Sequence, residues 1–288
     1  MMPIRTEPYS PGETIQVKQG ALTFDCRVSG TSTDPCVMLL HGFPETSIMW
    51  IGLMEELSAR GYFCIAPDMR GYSKDACPKG KKHYALAFLV QDVLDIADSF
   101  GQQRFHLIGH DWGAAIGWHI VYGNPARIVT WTALSVPHPR AFAKAYKTDR
   151  EQHRKSRYIR WFLLPWLPEI YLSRNDLATL RKLWKKSGPQ GLENYLAVFR
   201  RRRCLTGALN YYRANLGGGK RAQIGPVKCP TLFIWGKWDP AIGEAAALGN
   251  QKYMEGPYAY LPLEGGHWLI QSNYREVATA VSEHLGAK

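Results

Sequence analysis

The sequence has few cysteines, no long apolar run and no surplus of acid. Six cysteines in 288 residues stand scattered at positions 26, 36, 64, 77, 204 and 229. None forms a C-x-x-C pair or a Cys/His metal spacing, so neither a disulfide framework nor a zinc site is predicted. The thiols are expected to be reduced and mostly buried. No apolar run approaches the ~20 residues a membrane-spanning helix needs. The stretch Met1-Met2-Pro3-Ile4-Arg5-Thr6-Glu7-Pro8 holds no apolar core for a secretory leader. A soluble, cytoplasmic protein is the expectation. With 45% hydrophobic and 21% charged residues, the composition excludes disorder, collagen and coiled coil.

What is present in excess is positive charge, 36 Lys+Arg against 24 Asp+Glu. It is concentrated. Residues 140–228 hold 21 basic and 5 acidic side chains, while the remainder is net −4. The middle of the chain is therefore a different piece from its flanks.

Those flanks alternate short apolar runs with amphipathic stretches. Strands are predicted at Cys36–Leu40, Tyr62–Ala66, Phe105–Ile108, Ile128–Leu134, Thr231–Trp235 and Tyr258–Leu261. Helices are predicted at Ile48–Arg60, Tyr84–Phe100, Trp112–Tyr122 and Tyr274–Leu285, with an antiparallel edge hairpin over 13–28. Strands alternating with helices imply an α/β fold with a mostly parallel sheet covered on both faces. From Pro137 to Pro226 the strand signal vanishes. Apolar residues recur at helical spacing there, broken by Pro165, Pro168, Gly188-Pro189 and Gly217-Gly218-Gly219. The reading is a core of residues 1–136 and 227–288, with a helical cap of residues 137–226 inserted between two strands.

Chemistry concentrates at strand ends. Gly109-His110-Asp111-Trp112-Gly113 lies between a strand and a helix and matches the G-x-Nuc-x-G nucleophile elbow, with Asp in place of Ser. A carboxylate with a reference pKa near ~3.9 is ionised at neutral pH and attacks without a base. It suits displacement at an sp³ carbon, leaving an alkyl ester that an activated water must hydrolyse. Alone, Asp111 also reads as a helix N-cap. His41-Gly42-Phe43-Pro44 follows the first strong strand, so the N–H groups of Phe43 and Trp112 are candidate oxyanion donors. Asp239 and His267 follow two later strands, in the order nucleophile, acid, base. His267 would activate the water, with Asp239 orienting it.

These motifs, together with Asp68-Met69-Arg70-Gly71-Tyr72-Ser73, resemble the α/β-hydrolase fold in its epoxide hydrolase branch over nearly the whole chain. That resemblance implies two cap tyrosines that bind and protonate an epoxide oxygen. Tyr158-Ile159-Arg160-Trp161-Phe162-Leu163-Leu164-Pro165 is similar to the first tyrosine motif, and Asn210-Tyr211-Tyr212-Arg213 to the second. They imply Tyr158 and Tyr212, the latter preferred over Tyr211 because it precedes Arg. Ring opening generates an alkoxide, and a phenol with pKa near ~10 is a suitable acid for it. The bland reading of either tyrosine is cap packing.

The substrate expected is a small apolar aryl or alkyl epoxide bound by Phe43, Trp112, Tyr158 and Tyr212, with no cofactor and no metal. A haloalkane dehalogenase is the alternative on the same triad, but Phe43 offers no side-chain halide donor. Ester hydrolysis is disfavoured, since an Asp nucleophile would give an unproductive anhydride. A basic binding module is the alternative of another class. Arg200-Arg201-Arg202-Arg203 with Arg181, Lys182, Lys185 and Lys186 would favour an anionic membrane surface weakly, and no nucleic-acid fold is present. A monomer or homodimer is expected.

Overall fold

The computed structural model describes residue 5 and residues 7–184, 191–217 and 224–286. Met1–Ile4, Gly188-Pro189, Gly218-Gly219, Lys185 and Lys186 lie outside the described residues. Eight strands form one sheet: β1 (Tyr9–Gln19), β2 (Leu22–Gly30), β3 (Cys36–Leu40), β4 (Phe63–Pro67), β5 (Phe105–His110), β6 (Ile128–Leu134), β7 (Thr231–Gly236) and β8 (Tyr258–Leu263). Their order is β1-β2-β4-β3-β5-β6-β7-β8. β2 pairs antiparallel with both β1 and β4, and every other pairing of these eight strands is parallel. Every residue of β3, β4, β5 and β7 is buried, which is why they read as unbroken apolar runs rather than alternating ones.

Helices α1 (Ile51–Ala59), α2 (Leu86–Ser99) and α3 (Trp112–Gly123) make the first crossovers. The step from β3 to β4 runs one way along the sheet, and the step from β4 to β5 runs back past β3. Right-handed crossovers therefore set α1 on one face and α2 and α3 on the other. The order reverses between β3 and β5, so the loops after these two strands diverge and leave a crevice at their carboxyl ends.

Between β6 and β7 come α4 (Pro139–Thr148), α5 (Arg150–Lys155), α6 (Arg157–Phe162), α7 (Leu167–Leu183), α8 (Leu192–Arg200) and α9 (Arg202–Asn215). Helix α7 is broken at Arg174–Leu177, where three residues have left-handed φ. After β7 follow α10 (Glu244–Leu248), α11 (Leu269–Ser272) and α12 (Tyr274–Leu285), the last packing beside α1.

Helix α9 seats on the core by close backbone approach. A Cβ on Gly207 would stand 2.8 Å from the Gly71 Cα, and one on Gly71 would stand 3.0 Å from the Gly207 carbonyl carbon. Asn215 fastens the far end: its Oδ1 accepts from the Leu86 N–H at 2.9 Å and its Nδ2 donates to the Tyr84 carbonyl at 2.9 Å.

Boundaries differ from the sequence reading by a few residues. Ser47–Trp50 and Lys81–Tyr84 form 3₁₀ turns, so α1 and α2 begin at Ile51 and Leu86. The edge hairpin extends outward from 13–28 to 9–30.

Candidate active site

Asp111 sits on the strained turn from β5 to α3, with φ 52° and ψ −117°. Left-handed φ is costly for a residue with a side chain, and it persists here because the surroundings force it. The flanking glycines are required by space. A Cβ on Gly109 would meet the Gly113 carbonyl at 2.6 Å, and one on Gly113 would meet the Leu40 carbonyl at 2.1 Å. Gly42 completes the fit, since a Cβ there would lie 2.4 Å from Asp111 Oδ1.

The crevice between β3 and β5 brings the His41–Pro44 loop onto this carboxylate. The Phe43 N–H donates to Asp111 Oδ1 at 2.7 Å. The Trp112 N–H opens α3, where helix N–H groups lack intrahelical acceptors. His41 holds the loop from behind. Its Nε2 accepts from the Met69 N–H at 3.0 Å, which ties the Asp68–Ser73 loop to it. Arg70 in that loop forks onto buried Asp92 at 2.7 and 2.5 Å.

Across the carboxylate, Asp111 Oδ2 faces His267 Nε2 at 3.5 Å. His267 Nδ1 lies 2.7 Å from Asp239 Oδ2, and Asp239 Oδ1 accepts from the N–H groups of Ala241 and Ile242 at 2.7 and 2.9 Å. The three residues predicted from strand ends therefore meet as Asp111, His267 and Asp239. Asp239 is fully buried, and Asp111 and His267 nearly so. Burial works against the His267 imidazolium, but Asp239 and Asp111 outweigh it and raise the group to about 10. Burial also pushes the Asp111 carboxyl up, and His267, with smaller help from His110 and the Phe43 N–H, holds it below the usual range.

Several supports were not foreseen. The His267 carbonyl accepts from Ser135 Oγ at 2.7 Å and lies 2.9 Å from His110 Nε2. Glu45 Oε2 stands 3.2 Å from His110 Nδ1, both side chains fully buried, and Gln271 donates to Glu45. From the helical segment, Lys155 Nζ donates to the Asp239 carbonyl at 2.6 Å, and Gln152 Oε1 accepts from the Gly243 N–H at 2.8 Å. Glu45 and His110 flank the two motifs already singled out. Gln152 and Lys155 carried no local signal.

Above Asp111 lies an aromatic cluster. Tyr212 stands edge-on to Trp112 at 5.1 Å, to Phe162 at 5.0 Å, to Phe43 at 6.1 Å and to Tyr158 at 6.2 Å. Tyr211 points elsewhere, its hydroxyl donating to the Arg70 carbonyl at 2.6 Å. Tyr158 keeps 37% of its surface open, yet its phenol lies in the field of Asp111 and Asp239. Desolvation first, then those carboxylates, raises its pKa above the usual value. Desolvation likewise raises Tyr212 well above its usual value, with Tyr158 and Asp111 adding to it. Both phenols stay protonated at neutral pH. Surface grooves of about 280 and 220 Å³ lie elsewhere and touch none of these groups. Among the described residues, no cluster of His, Cys, Asp and Glu is arranged to hold a metal.

The basic run is largely consumed by the fold. Arg200 and Arg181 bind Asp176 and Glu193. Arg201 and Arg203 donate to the Tyr72 and Cys77 carbonyls, and Arg213 forks onto buried Glu169. No described helix is long and apolar enough to cross a membrane.

A sequence profile of the alpha/beta hydrolase fold matches residues 35–273. Epoxide hydrolase 3 from Xenopus tropicalis is 31% identical over 283 residues, covering 94% of this chain and 77% of that protein. Epoxide hydrolase 4 from Homo sapiens is 32% identical over 269 residues, covering 89% and 74%. The crystal structure of epoxide hydrolase A from Mycobacterium thermoresistibile has a TM-score of 0.82 at 26% identity, covering 97% of this chain and 98% of that one.

Proposed function

The chain belongs to the alpha/beta hydrolase fold family, in its epoxide hydrolase branch, and from that premise we propose that it opens an apolar aryl or alkyl epoxide to a vicinal diol through a covalent ester on Asp111. The observation that carries this reading is the opposition of two protonated phenols, Tyr158 and Tyr212, to an ionised carboxylate whose two oxygens have different partners.

The steps follow from the neighbours. Residues 137–226 act as the cap, and its phenols hold the epoxide oxygen. Asp111 attacks a ring carbon from the far side through Oδ2, the oxygen not held by the Phe43 N–H. The C–O bond of the ring breaks, and a phenol proton passes to the oxygen that leaves it. Burial keeps the phenol protonated, and so able to donate, until charge develops on the ring oxygen.

Alkylation removes the charge of Asp111. One of the two carboxylates that keep His267 protonated is then gone, so the imidazolium gives up its proton to restore the phenol and becomes a base for water. Water attacks the ester carbon. The negative charge appears on Oδ1, where the Phe43 N–H already points, with the Trp112 N–H at the start of α3 as the second donor of this proposal. Collapse releases the diol. Phe43 presents rings to Phe162 and Phe199 and no polar side-chain atom, which argues against halide release. The apolar rings around the site favour a lipophilic substrate of small size.

The test is His267→Gln incubated with styrene oxide. The ester forms and is not hydrolysed, so the intact protein gains the mass of one substrate, located on Asp111. Absence of an adduct, with folding intact, contradicts the covalent route.

We also propose that the cap rests weakly on anionic lipid. Leu164, Trp166, Leu167, Ile170 and Tyr171 are exposed, Trp166 by 70%. Exposed Arg154, Arg157, Arg160 and Arg174 stand in the same stretch without an ion pair among the described residues. Interfacial aromatics beside cations fit the headgroup region of a bilayer.

A further inference from the structure

The six cysteines are not equivalent. Cys26, Cys36 and Cys64 are buried in the sheet, where burial pushes their thiols up, and Cys229 is likewise raised, to about 11. Cys77 and Cys204 are buried too, but they stand together. Their sulfurs lie 2.9 Å apart, although 127 positions separate them in sequence. Cys77 belongs to the loop after β4, and Cys204 to the first turn of α9. We infer that Cys77 and Cys204 form a redox-modifiable dithiol that peroxides convert to a disulfide, fastening the helix that carries Tyr212 to the core.

Geometry and surroundings support this. A disulfide needs a sulfur separation near ~2.05 Å, so the pair closes by less than an ångström. The first turn of a helix favours a thiolate through its free N–H groups. Arg201 and Arg203 lie three and one positions before Cys204, and Arg203 also donates to the Cys77 carbonyl at 2.8 Å. The contact with Cys77, then Arg201 and Arg203, favour the Cys204 thiolate against its burial. Cys204 is therefore the attacking sulfur and Cys77 the resolving one. Both side chains are buried, so the oxidant reaches them when the first turn of α9 frays, as helix ends do.

The step balances. The Cys204 thiolate attacks one peroxide oxygen, the O–O bond breaks, and hydroxide leaves to take up a proton as water, giving a sulfenic acid. Cys77 sulfur then attacks the Cys204 sulfur, its proton passes to the departing hydroxyl, and a second water leaves as the S–S bond forms. Two electrons pass from the thiols to the peroxide. The bond closes a loop of more than a hundred residues, which restricts the unfolded chain strongly. None of this depends on the epoxide reading.

The experiment treats the whole protein with hydrogen peroxide, alkylates remaining thiols and maps peptides without reduction. The expected result is a Cys77–Cys204 cross-linked peptide and a thermal midpoint raised by about 5–10 °C, both reversed by dithiothreitol. Cys204→Ser and Cys77→Ser lose both effects, while Cys229→Ser keeps them. Full alkylation of Cys77 and Cys204 after treatment overturns the inference. So does Cys204 carried to sulfinic acid with Cys77 free, because that shows an oxidisable thiol without a partner.

Discussion

At Asp111 the two carboxylate oxygens have separate neighbours, and the proposed mechanism gives them separate duties. Oδ1 already occupies the N–H of Phe43, and Oδ2 faces His267 at 3.5 Å. The charge of Asp111 is thus also a control on His267. Replacing Asp111 with Asn removes that charge and leaves Asp239 as the carboxylate in contact with the imidazole. The His267 titration, followed by NMR, then moves down from about 10. An unmoved titration contradicts the coupling. Asp111, Asp239 and His267 are legible in the sequence because each stands beside a glycine turn or a proline at a strand end. Glu45, Ser135, Gln152 and Lys155 are not, since their roles exist only through contacts with residues far along the chain.

Among the elements, the fully buried strands of the parallel sheet announce themselves as apolar runs, and their order of use follows from right-handed crossovers. The helices between β6 and β7 are harder to read. Three left-handed residues break α7, and no local pattern marks that break. The run from Arg200 to Arg203 looks like a free cationic face, but salt bridges and carbonyl acceptors take three of its four side chains. The exposed stretch from Leu164 to Tyr171 is where a lipid surface would bind. The protein is expected to co-sediment with phosphatidylserine vesicles at low salt and to be released as salt rises. Arg160→Ser combined with Trp166→Ser lowers the bound fraction about tenfold. No co-sedimentation of the parent protein at low salt ends this proposal.

For the whole molecule, buried histidines set the pH range of stability. Desolvation lowers His106 and His138 to about 4, so both are neutral in the fold. Unfolded, they titrate near ~6.5, and between these values the unfolded chain binds more protons. Their contribution is present above pH ~6.5 and is lost as pH falls toward about 4. His267 acts with the opposite sign. Raised to about 10, it contributes fully below pH ~6.5, and that contribution fades as pH rises toward about 10. The thermal midpoint should therefore peak near neutrality and fall on both sides in a calorimetric series. A midpoint unchanged from pH 7 to pH 4.5 contradicts the account of the two buried imidazoles.

The central claim is that two phenols facing an ionised Asp111 make this chain an epoxide hydrolase. The most direct measurement is diol formation from styrene oxide, run beside halide release from 1-bromobutane, with wild type and Asp111→Ala. The account predicts diol without halide from the wild type and neither product from the variant. Halide without diol, or diol formation undiminished by loss of Asp111, would contradict it.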